Sequence, residues 1–233
     1  MNTPQLSRRH LLACAGISLA TPALAADAPP ADLPFPKSAA EALSRLREGN
    51  QRFAAGKTWH AHASADWRKQ LVGGQKPFAT ILGCSDSRVP IELVFDQGFG
   101  DIFVVRVAGN VIAPDIIGSL EYAVAHLATP VVVVVGHEGC GAVTAALQAM
   151  AGPTKEPGGI QALVELIEPG LPKVIAGDTA GERVNTAVEA NVRWSLKQLA
   201  KLPETKQALA AKQIGLHGAV YELATGKVRF LAD

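Results

Sequence analysis

Three uninterrupted apolar runs constrain the fold more than any other feature of the sequence. They cover residues 78–83, 102–107 and 131–135, and each is short and rich in β-branched side chains. A strand with one solvent-facing side alternates apolar and polar residues, whereas a strand covered by helices on both faces is apolar throughout. The runs therefore indicate central strands of a parallel sheet.

Helical patterns separate and follow these runs. The first is expected from residue 38 to about 55, with Ser38 as N-cap and Glu41 completing a capping box. Further helices are expected over residues 116–127, 142–150, 160–167, 182–201 and 204–212. Residues 215–223 and 227–231 predict a closing pair of strands. This order predicts an α/β fold with a Rossmann-like, mostly parallel central sheet, flanked by helices and preceded by an N-terminal helical arm.

Length and charge narrow the class of protein. The 233 residues suffice for one large domain, and 48% hydrophobic with 18% charged residues is typical of a globular protein. The net charge of +1 gives no support to a nucleic-acid partner or an acidic surface. After residue 30 no uncharged apolar run reaches the roughly 18 residues of a membrane-spanning helix, which argues against such a helix in the mature chain.

The N-terminus predicts an export signal. Arg8 and Arg9 precede an apolar stretch that reaches about Leu24, and Ala-Leu-Ala at 23–25 has the small-x-small pattern of a signal-peptidase site. We therefore expect a twin-arginine signal peptide cleaved after Ala25 or the next alanine, and a periplasmic protein without a stable membrane anchor. An uncleaved anchor is the alternative.

Three segments follow from this interpretation. Residues 1–25 form the signal peptide, residues 26–37 a proline-rich arm, and residues 38–233 the folded domain. A lipoprotein box ending at Cys14 is a weaker option, because the apolar stretch before that cysteine is too short.

Two cysteines and a histidine stand where predicted strands end. Cys84 follows the first apolar run, and His137 and Cys140 follow the third, each after a glycine that we expect to let the chain turn. Ligands of open parallel sheets bind beyond the carboxyl ends of the strands. Two thiolates and one imidazole are good zinc ligands, and a catalytic zinc keeps a fourth position for water. The alternative is a disulfide between Cys84 and Cys140 in an oxidising compartment.

Asp86 and Arg88 lie on the loop after Cys84, spaced so that their side chains can pair. An ordinary surface ion pair, worth about 0–1 kcal/mol, is the alternative. Beside a metal, Asp86 either takes the fourth position and blocks water, or is held by Arg88 as an acceptor that orients water. Of the remaining histidines, His60 and His62 fit exposed loop positions better than a metal site.

These motifs together resemble a known family. Cys-x-Asp-x-Arg at 84–88, followed at long range by His-x-x-Cys at 137–140, is similar to the signature of the β-class carbonic anhydrases. The resemblance is close over residues 38–150 and looser beyond them, and it includes Phe-Val-Val-Arg at 103–106, Asn110 and Glu-Tyr-Ala-Val at 121–124. It implies a zinc enzyme that reversibly hydrates carbon dioxide to bicarbonate and a proton, by attack of zinc-bound hydroxide.

The resemblance also implies residue roles. The zinc ligands would be Cys84, His137 and Cys140, the catalytic dyad would be Asp86 and Arg88, and the carbon dioxide pocket of the plant-like branch would be lined by Gln75, Phe103 and Tyr122. Members whose aspartate closes the zinc carry a tryptophan three residues before the first cysteine. Ile81 stands there, so we expect the open form, in which water and not the aspartate takes the fourth zinc position. The basic unit of the family is a homodimer, often doubled to a tetramer, with pockets drawn from both subunits.

Without the resemblance, the pocket residues have simpler interpretations. Gln75 would be a loop residue, Phe103 a core residue and Tyr122 a packing residue of a helix. Two other functions also remain open. One is an enzyme of the same scaffold that hydrates carbonyl sulfide or carbon disulfide, and the other is a non-catalytic zinc or thiol-sensing protein. The presence of Asp86 and Arg88 argues against the last.

Overall fold

The computed structural model of the protein describes residues 33–152 and 156–232. Within these ranges the strands are β1 (Ala79–Gly83), β2 (Ile102–Arg106), β3 (Val131–His137), β4 (Gly215–Tyr221) and β5 (Val228–Phe230). The helices are α1 (Ala39–Ala54), α2 (Ala65–Gln70), α3 (Ile91–Val94), α4 (Pro114–Ala125), α5 (Gly141–Ala151), α6 (Gly158–Ile167), α7 (Ala180–Leu199) and α8 (Pro203–Ala210). Short 3₁₀ turns cover Leu71–Gly73, Ala108–Asn110 and Glu168–Gly170.

The strands form one sheet in the order β2-β1-β3-β4-β5. The first four are parallel, and β5 runs antiparallel to β4. Every residue of β1 and of β3 is buried. The predicted α/β fold with a mostly parallel, helix-covered sheet is confirmed, and so is the closing strand pair.

Two apolar cores lie on the two faces of the sheet. Successive side chains of a strand point to opposite faces, so Leu82 and Val134 belong to one core and Ile81 and Val133 to the other. Helices α4 to α7 cover the first face, and α1 and α3 cover the second. Cys84 and Cys140 belong to the first core, which places the candidate site on the side covered by α7.

The helix caps differ in detail from the sequence prediction. Ser38 caps α1 as expected, accepting the Glu41 N–H at 3.2 Å, but the Glu41 carboxylate accepts from the Lys37 N–H, so the capping box is only half formed. A complete box forms instead at α7, between Thr179 and Glu182. Helix α7 therefore begins at Ala180, two residues earlier than predicted.

The stretch after α1 is more ordered than its sequence indicates. Ser64 caps the short helix α2, which was not predicted. Before it, the buried Asp96 carboxylate accepts from the backbone N–H groups of Trp59 and His60 and pairs with Arg52 at 2.6 Å. A loop with little periodicity is thus fixed by one distant carboxylate.

The last residues of the proline-rich arm lie against α1. Arg45 donates to the Pro34 carbonyl at 3.2 Å, and its guanidinium stands over the Phe35 ring. The predicted signal peptide at 1–25 and the arm before residue 33 lie outside the described residues. No helix in the described ranges has the length and apolarity needed to cross a membrane.

Candidate metal centre

The topology brings the predicted zinc ligands to one edge of the sheet. Strands β1 and β3 are parallel neighbours, with Gly83 opposite Val135. Cys84 directly follows β1, His137 ends β3, and Cys140 is the N-cap of α5. Parallel neighbours end at the same edge, so residues 53 positions apart in sequence become adjacent, as predicted.

The three ligand atoms form a compact buried cluster. They all lie within 4.8 Å of one another, and Cys84, His137 and Cys140 are 4%, 0% and 1% exposed. The two sulfurs are 4.0 Å apart, and both thiols are free. A disulfide needs about 2.05 Å. Two thiolates at about 2.3 Å on a tetrahedral zinc would be about 3.8 Å apart, so the separation fits a shared metal and not the disulfide alternative.

The imidazole of His137 is oriented for metal binding. Its Nδ1 donates to the Glu138 carbonyl at 2.9 Å, which leaves the lone pair on Nε2. Nε2 is buried and has no hydrogen-bond partner among the described residues. Buried polar atoms are nearly always satisfied. A buried bare nitrogen beside two sulfurs fits a metal ligand.

The two thiols are electrostatically coupled. The pKa of Cys84 is lowered, first because the Cys140 thiol donates to its sulfur and then because His137 and the Gly109 N–H lie beside it. The pKa of Cys140 rises, because its proton is held by the Cys84 thiolate. Burial alone would lower the pKa of His137, but the neighbouring thiolate raises it. The two sulfurs therefore share one proton, whose place a metal cation would take.

Gly83 and Gly136, which precede Cys84 and His137, serve close packing and do not form turns as expected. Gly83 and Gly136 both lie inside strands. A Cβ on Gly83 would come within 2.8 Å of Ile91, and one on Gly136 within 2.7 Å of Val192. The turn between His137 and Cys140 is made by Gly139, whose φ is +60°.

Asp86 and Arg88 form the predicted pair. The Arg88 N–H and Nε donate to Asp86 Oδ1 at 2.9 and 3.0 Å, and Nη2 donates to Oδ2 at 2.7 Å. These bonds hold the pKa of Asp86 well below its usual range. Asp86 Oδ2 is also 3.7 Å from His137 Nε2. An ionised acceptor thus stands at the edge of the metal cluster.

Arg106 has a contact that the sequence analysis did not foresee. Its Nε donates to the Cys84 carbonyl at 2.8 Å, and its Nη2 donates to the Asp86 carbonyl at 2.7 Å. One guanidinium thus fixes the backbone on both sides of Ser85. The sequence signal is slight: a charged residue at the end of an apolar strand, opposite Gly83.

Two of the predicted pocket residues lie together. Phe103 packs on the same core as Cys84, and its ring is 6.3 Å from that of Tyr122. Tyr122 is 48% exposed, and its ring is 5.1 Å from that of His126. These rings make an aromatic wall that is open to solvent in one chain.

Gln75 lies elsewhere in the single chain. It precedes the amino end of β1 and lines an open surface cleft with Val72 and Phe99, which are 87% and 48% exposed. At about 3.3 Å per residue, the two ends of β1 are about 13 Å apart, and Cys84 follows the other end. One chain therefore does not bring Gln75 to its own metal cluster.

The loop histidines are held by protein contacts. His62 Nδ1 is 2.7 Å from Asp101, and its ring stacks on Trp67 at 3.9 Å. His60 is 3.0 Å from the Thr58 hydroxyl. Within the described ranges, the cluster at Cys84 is the one that fits a metal.

Comparison with known proteins agrees with this geometry. A family model described as carbonic anhydrase matches residues 79–228. Carbonic anhydrase 2 of Mycobacterium tuberculosis is 42% identical over 188 residues, covering 80% of this chain and 89% of that protein. The carbonic anhydrase of Mycolicibacterium smegmatis is 40% identical over 189 residues, covering 80% of this chain and 90% of that protein.

A solved structure shares the fold as well. A tetrameric β-carbonic anhydrase of the fungus Sordaria macrospora superimposes with a TM-score of 0.66 at 28% identity, over 80% of this chain and 94% of that one. The range matched by the family model includes all three cluster residues. This chain belongs to the carbonic anhydrase family, and within it to the β class.

Proposed function

We propose that the protein is a zinc-dependent enzyme that reversibly hydrates carbon dioxide to bicarbonate and a proton. The observation that carries this proposal is the buried cluster of Cys84, His137 and Cys140, with the ionised Asp86 at its edge. A structural zinc site closes with a fourth cysteine or histidine. The described cluster has three ligands and a carboxylate held by Arg88, which fits a catalytic site.

The three residues would bind the zinc through two sulfurs and His137 Nε2. When bound, zinc acidifies its water and so supplies a nucleophile near neutral pH, an effect for which carbonic anhydrase is the standard example. Two thiolates donate more charge than neutral ligands and weaken that acidification. The positive end of α5 at Cys140 and hydrogen bonds to the sulfurs offset part of this donation.

Asp86 would orient the attacking water. Both of its oxygens accept from Arg88, so the carboxylate keeps one direction and stays ionised at neutral pH. An ionised carboxylate accepts a hydrogen bond and turns the lone pair of the water toward carbon dioxide. Arg88 also satisfies the oxygens that would otherwise compete for the metal, which supports the open form. The buried Ile81, where closed members carry tryptophan, supports the same form and the plant-like branch.

Carbon dioxide is small and apolar, and the rings of Phe103 and Tyr122 offer an apolar wall for it. A polar donor is still needed for the developing charge on oxygen. Gln75 precedes the amino end of β1 and Phe103 pairs with Thr80 near that end, so both are distant from the metal cluster of their own chain. We therefore propose a homodimer, or a tetramer built from it, in which Gln75 and the aromatic wall of the partner subunit complete each pocket. The tetrameric state named for the Sordaria macrospora protein supports an oligomer.

The function is tested on the purified mature chain. We expect mass spectrometry of the metal to find about one zinc per chain. Stopped flow should show carbon dioxide hydration, and this activity should be lost with a chelator and restored by zinc. Carbonyl sulfide and carbon disulfide are assayed in parallel. Stoichiometric zinc without hydration of carbon dioxide would contradict the proposed reaction.

The ligand assignment has its own test. We expect Cys140→Ala to lose zinc and activity together, because a buried two-ligand site cannot compete for the metal. Ser85→Ala is the matched control, since Ser85 adjoins a ligand but offers none, and it should keep both. A Cys140→Ala protein with stoichiometric zinc would contradict the assignment.

We also propose export to the periplasm through the twin-arginine pathway, with residues 1–25 as signal peptide. The support is the pair Arg8 and Arg9 before an apolar stretch and the Ala-Leu-Ala site. Mass spectrometry of the periplasmic protein should find a new N-terminus after Ala25 or Ala26. Replacing both arginines by lysine should leave the protein in the cytoplasm, and periplasmic protein from that variant would contradict this route.

A further inference from the structure

The sulfur of Cys84 accepts a hydrogen bond from the protein backbone. The Gly109 N–H donates to Cys84 Sγ at 3.3 Å, across 25 residues of sequence. Such a bond withdraws charge from a thiolate, and it also fixes the direction in which the sulfur points. Its geometry depends on the 3₁₀ turn Ala108–Asn110, which follows β2.

This turn has an unfavourable backbone conformation. Gly109 has a φ of +69° and Asn110 a φ of +43°, so a residue with a side chain occupies the left-handed region. A Cβ on Gly109 would come within 2.8 Å of Ile167 and 3.1 Å of Ala142. Two consecutive left-handed residues in a crowded place need contacts from outside the turn to hold them.

Helix α7 supplies those contacts. Asn191 Nδ2 donates to the Gly109 carbonyl at 2.8 Å, and Ser195 Oγ donates to the Asn110 carbonyl at 3.0 Å. The two residues are four apart, so they share one face of the helix. Both are 1% exposed on a face that is otherwise apolar. A polar side chain in such a place is unfavourable unless it is hydrogen-bonded, and here both bonds go to the turn.

We propose that Asn191 and Ser195 are positioning residues for the zinc thiolate. They hold the Ala108–Asn110 turn so that the Gly109 N–H donates to Cys84 Sγ, and so they set how much charge this sulfur gives to the metal. The inference rests on the proposed zinc site and deepens it. Helix α7, which contributes no ligand, would thereby act on the metal through the Ala108–Asn110 turn.

The test removes each contact singly. Asn191→Leu keeps most of the side-chain volume and loses the donor, and Ser195→Ala is a milder second variant should the first fold poorly. We expect zinc affinity, measured by chelator competition, to fall about tenfold in Asn191→Leu, as is usual when an outer hydrogen bond is removed. Zinc affinity should also fall in Ser195→Ala, but by less.

A spectroscopic readout separates positioning from folding. In cobalt-substituted protein, a sulfur that has lost its N–H donor is more electron-rich, so the thiolate-to-cobalt charge-transfer band should move to lower energy in both variants. Leu199→Ala is the control, because it removes a buried side chain of α7 that lines an apolar pocket with Leu120 and Val132. It should lower stability and leave the band in place.

The possible outcomes separate this inference from the proposed function. If both variants keep the zinc affinity and the band position of the unmodified protein, the inference is overturned and the proposed function is not. A shift in Leu199→Ala as large as in Asn191→Leu would show general loosening and would overturn it too. Failure of the unmodified chain to take up stoichiometric zinc would instead overturn the proposed function.

Discussion

At the residue scale, each proposed ligand has its own fixing contact. The Gly109 N–H donates to Cys84, the Glu138 carbonyl accepts from His137, and Cys140 sits at the N-terminus of α5. Such contacts determine which atom faces the metal before it arrives. The three donors are therefore preorganised. Most of the conformational entropy of ordering them is lost when the chain folds and not when the metal binds.

The role of Asp86 can be separated from metal binding. Asp86→Asn keeps the shape of the side chain but removes the charge and one acceptor, so zinc content should remain near one per chain. Turnover should fall by about 10² or more, a typical contribution of a proton-handling group. Stopped-flow hydration with metal analysis checks both. Asp66→Asn, an exposed aspartate beside Lys69, should be neutral, and full turnover in Asp86→Asn would exclude the dyad from the mechanism.

The sequence predicted which residues come together in the metal cluster but not the residues that position them. Cys84, His137 and Cys140 follow apolar runs, a pattern that local sequence makes visible. Arg106 and Asn191 act through bonds to backbone carbonyls 20 or more residues away. A backbone carbonyl has no residue-type signature, so such partners appear only when the fold brings the segments together.

At the element scale, the close approach of α7 to β3 shapes the site. Gly136 lies directly before His137, where a Cβ would be 2.7 Å from Val192 and 2.9 Å from Val188. We expect Gly136→Ala to lower the free energy of unfolding by about 1–3 kcal/mol through overpacking. Urea denaturation of the metal-free protein measures this.

A second glycine provides the control for that prediction. Gly118 lies in α4 with open space around its Cα. Gly118→Ala should be neutral or stabilise by about 0.5–1 kcal/mol, because alanine loses less backbone entropy in a helix. Equal stability of Gly136→Ala and the unmodified chain would show that the approach of α7 is not tight.

The edge strand β5 is tied to α7 by a pH-dependent contact. Glu189 accepts from Arg229 at 3.0 Å and from Arg193 at 3.1 Å. Partial burial alone would raise the pKa of Glu189, but these bonds lower it below its ordinary 4.5. A lowered pKa stabilises the fold above the unfolded-state value, and this stabilisation is lost as the pH falls through the folded-state value.

Glu189→Gln should therefore be less stable than the unmodified chain at pH 7. The difference in the free energy of unfolding should shrink below about pH 4.5. It should disappear at still lower pH, where Glu189 is protonated in both the folded and the unfolded state. Urea denaturation of metal-free protein from pH 7 to pH 3 measures this without zinc release. Glu92→Gln, at an exposed site, is the control and should leave the stability at pH 7 unchanged. A constant difference between the Glu189→Gln and unmodified proteins would contradict the assigned cause.

Strands were easier to predict than short helices. β1 and β3 are buried on both faces, so burial itself produces the apolar runs that reveal them. The sequence prediction ended the third run at Val135, yet β3 continues through His137, because its pairing with Tyr221 on β4 does not depend on side-chain type. Helix α3 has four residues, too few for a periodic pattern to show.

At the scale of the whole molecule, the two ends of β1 serve different sites. The carboxyl end leads to the metal cluster, and the amino end follows Gln75 and the exposed cleft around it. We define the Gln75 patch as Leu71, Val72, Gln75 and Phe99, which line that cleft. If Gln75 of the partner subunit completes each pocket, the Gln75 patch must lie at the dimer interface.

This placement can be tested with two equally exposed valines. Val72→Asp puts a charge into the Gln75 patch, and burying it without a partner is unfavourable, so dimer affinity should fall at least about tenfold by sedimentation. Turnover per chain should fall with it, because a monomer lacks the donor of the partner subunit, while zinc content stays near one. Val174→Asp is the matched control, since Val72 and Val174 are 87% and 86% exposed, and it should leave assembly and turnover unchanged. A Val72→Asp protein that remains a fully active dimer would place the interface elsewhere and leave Gln75 outside the reaction.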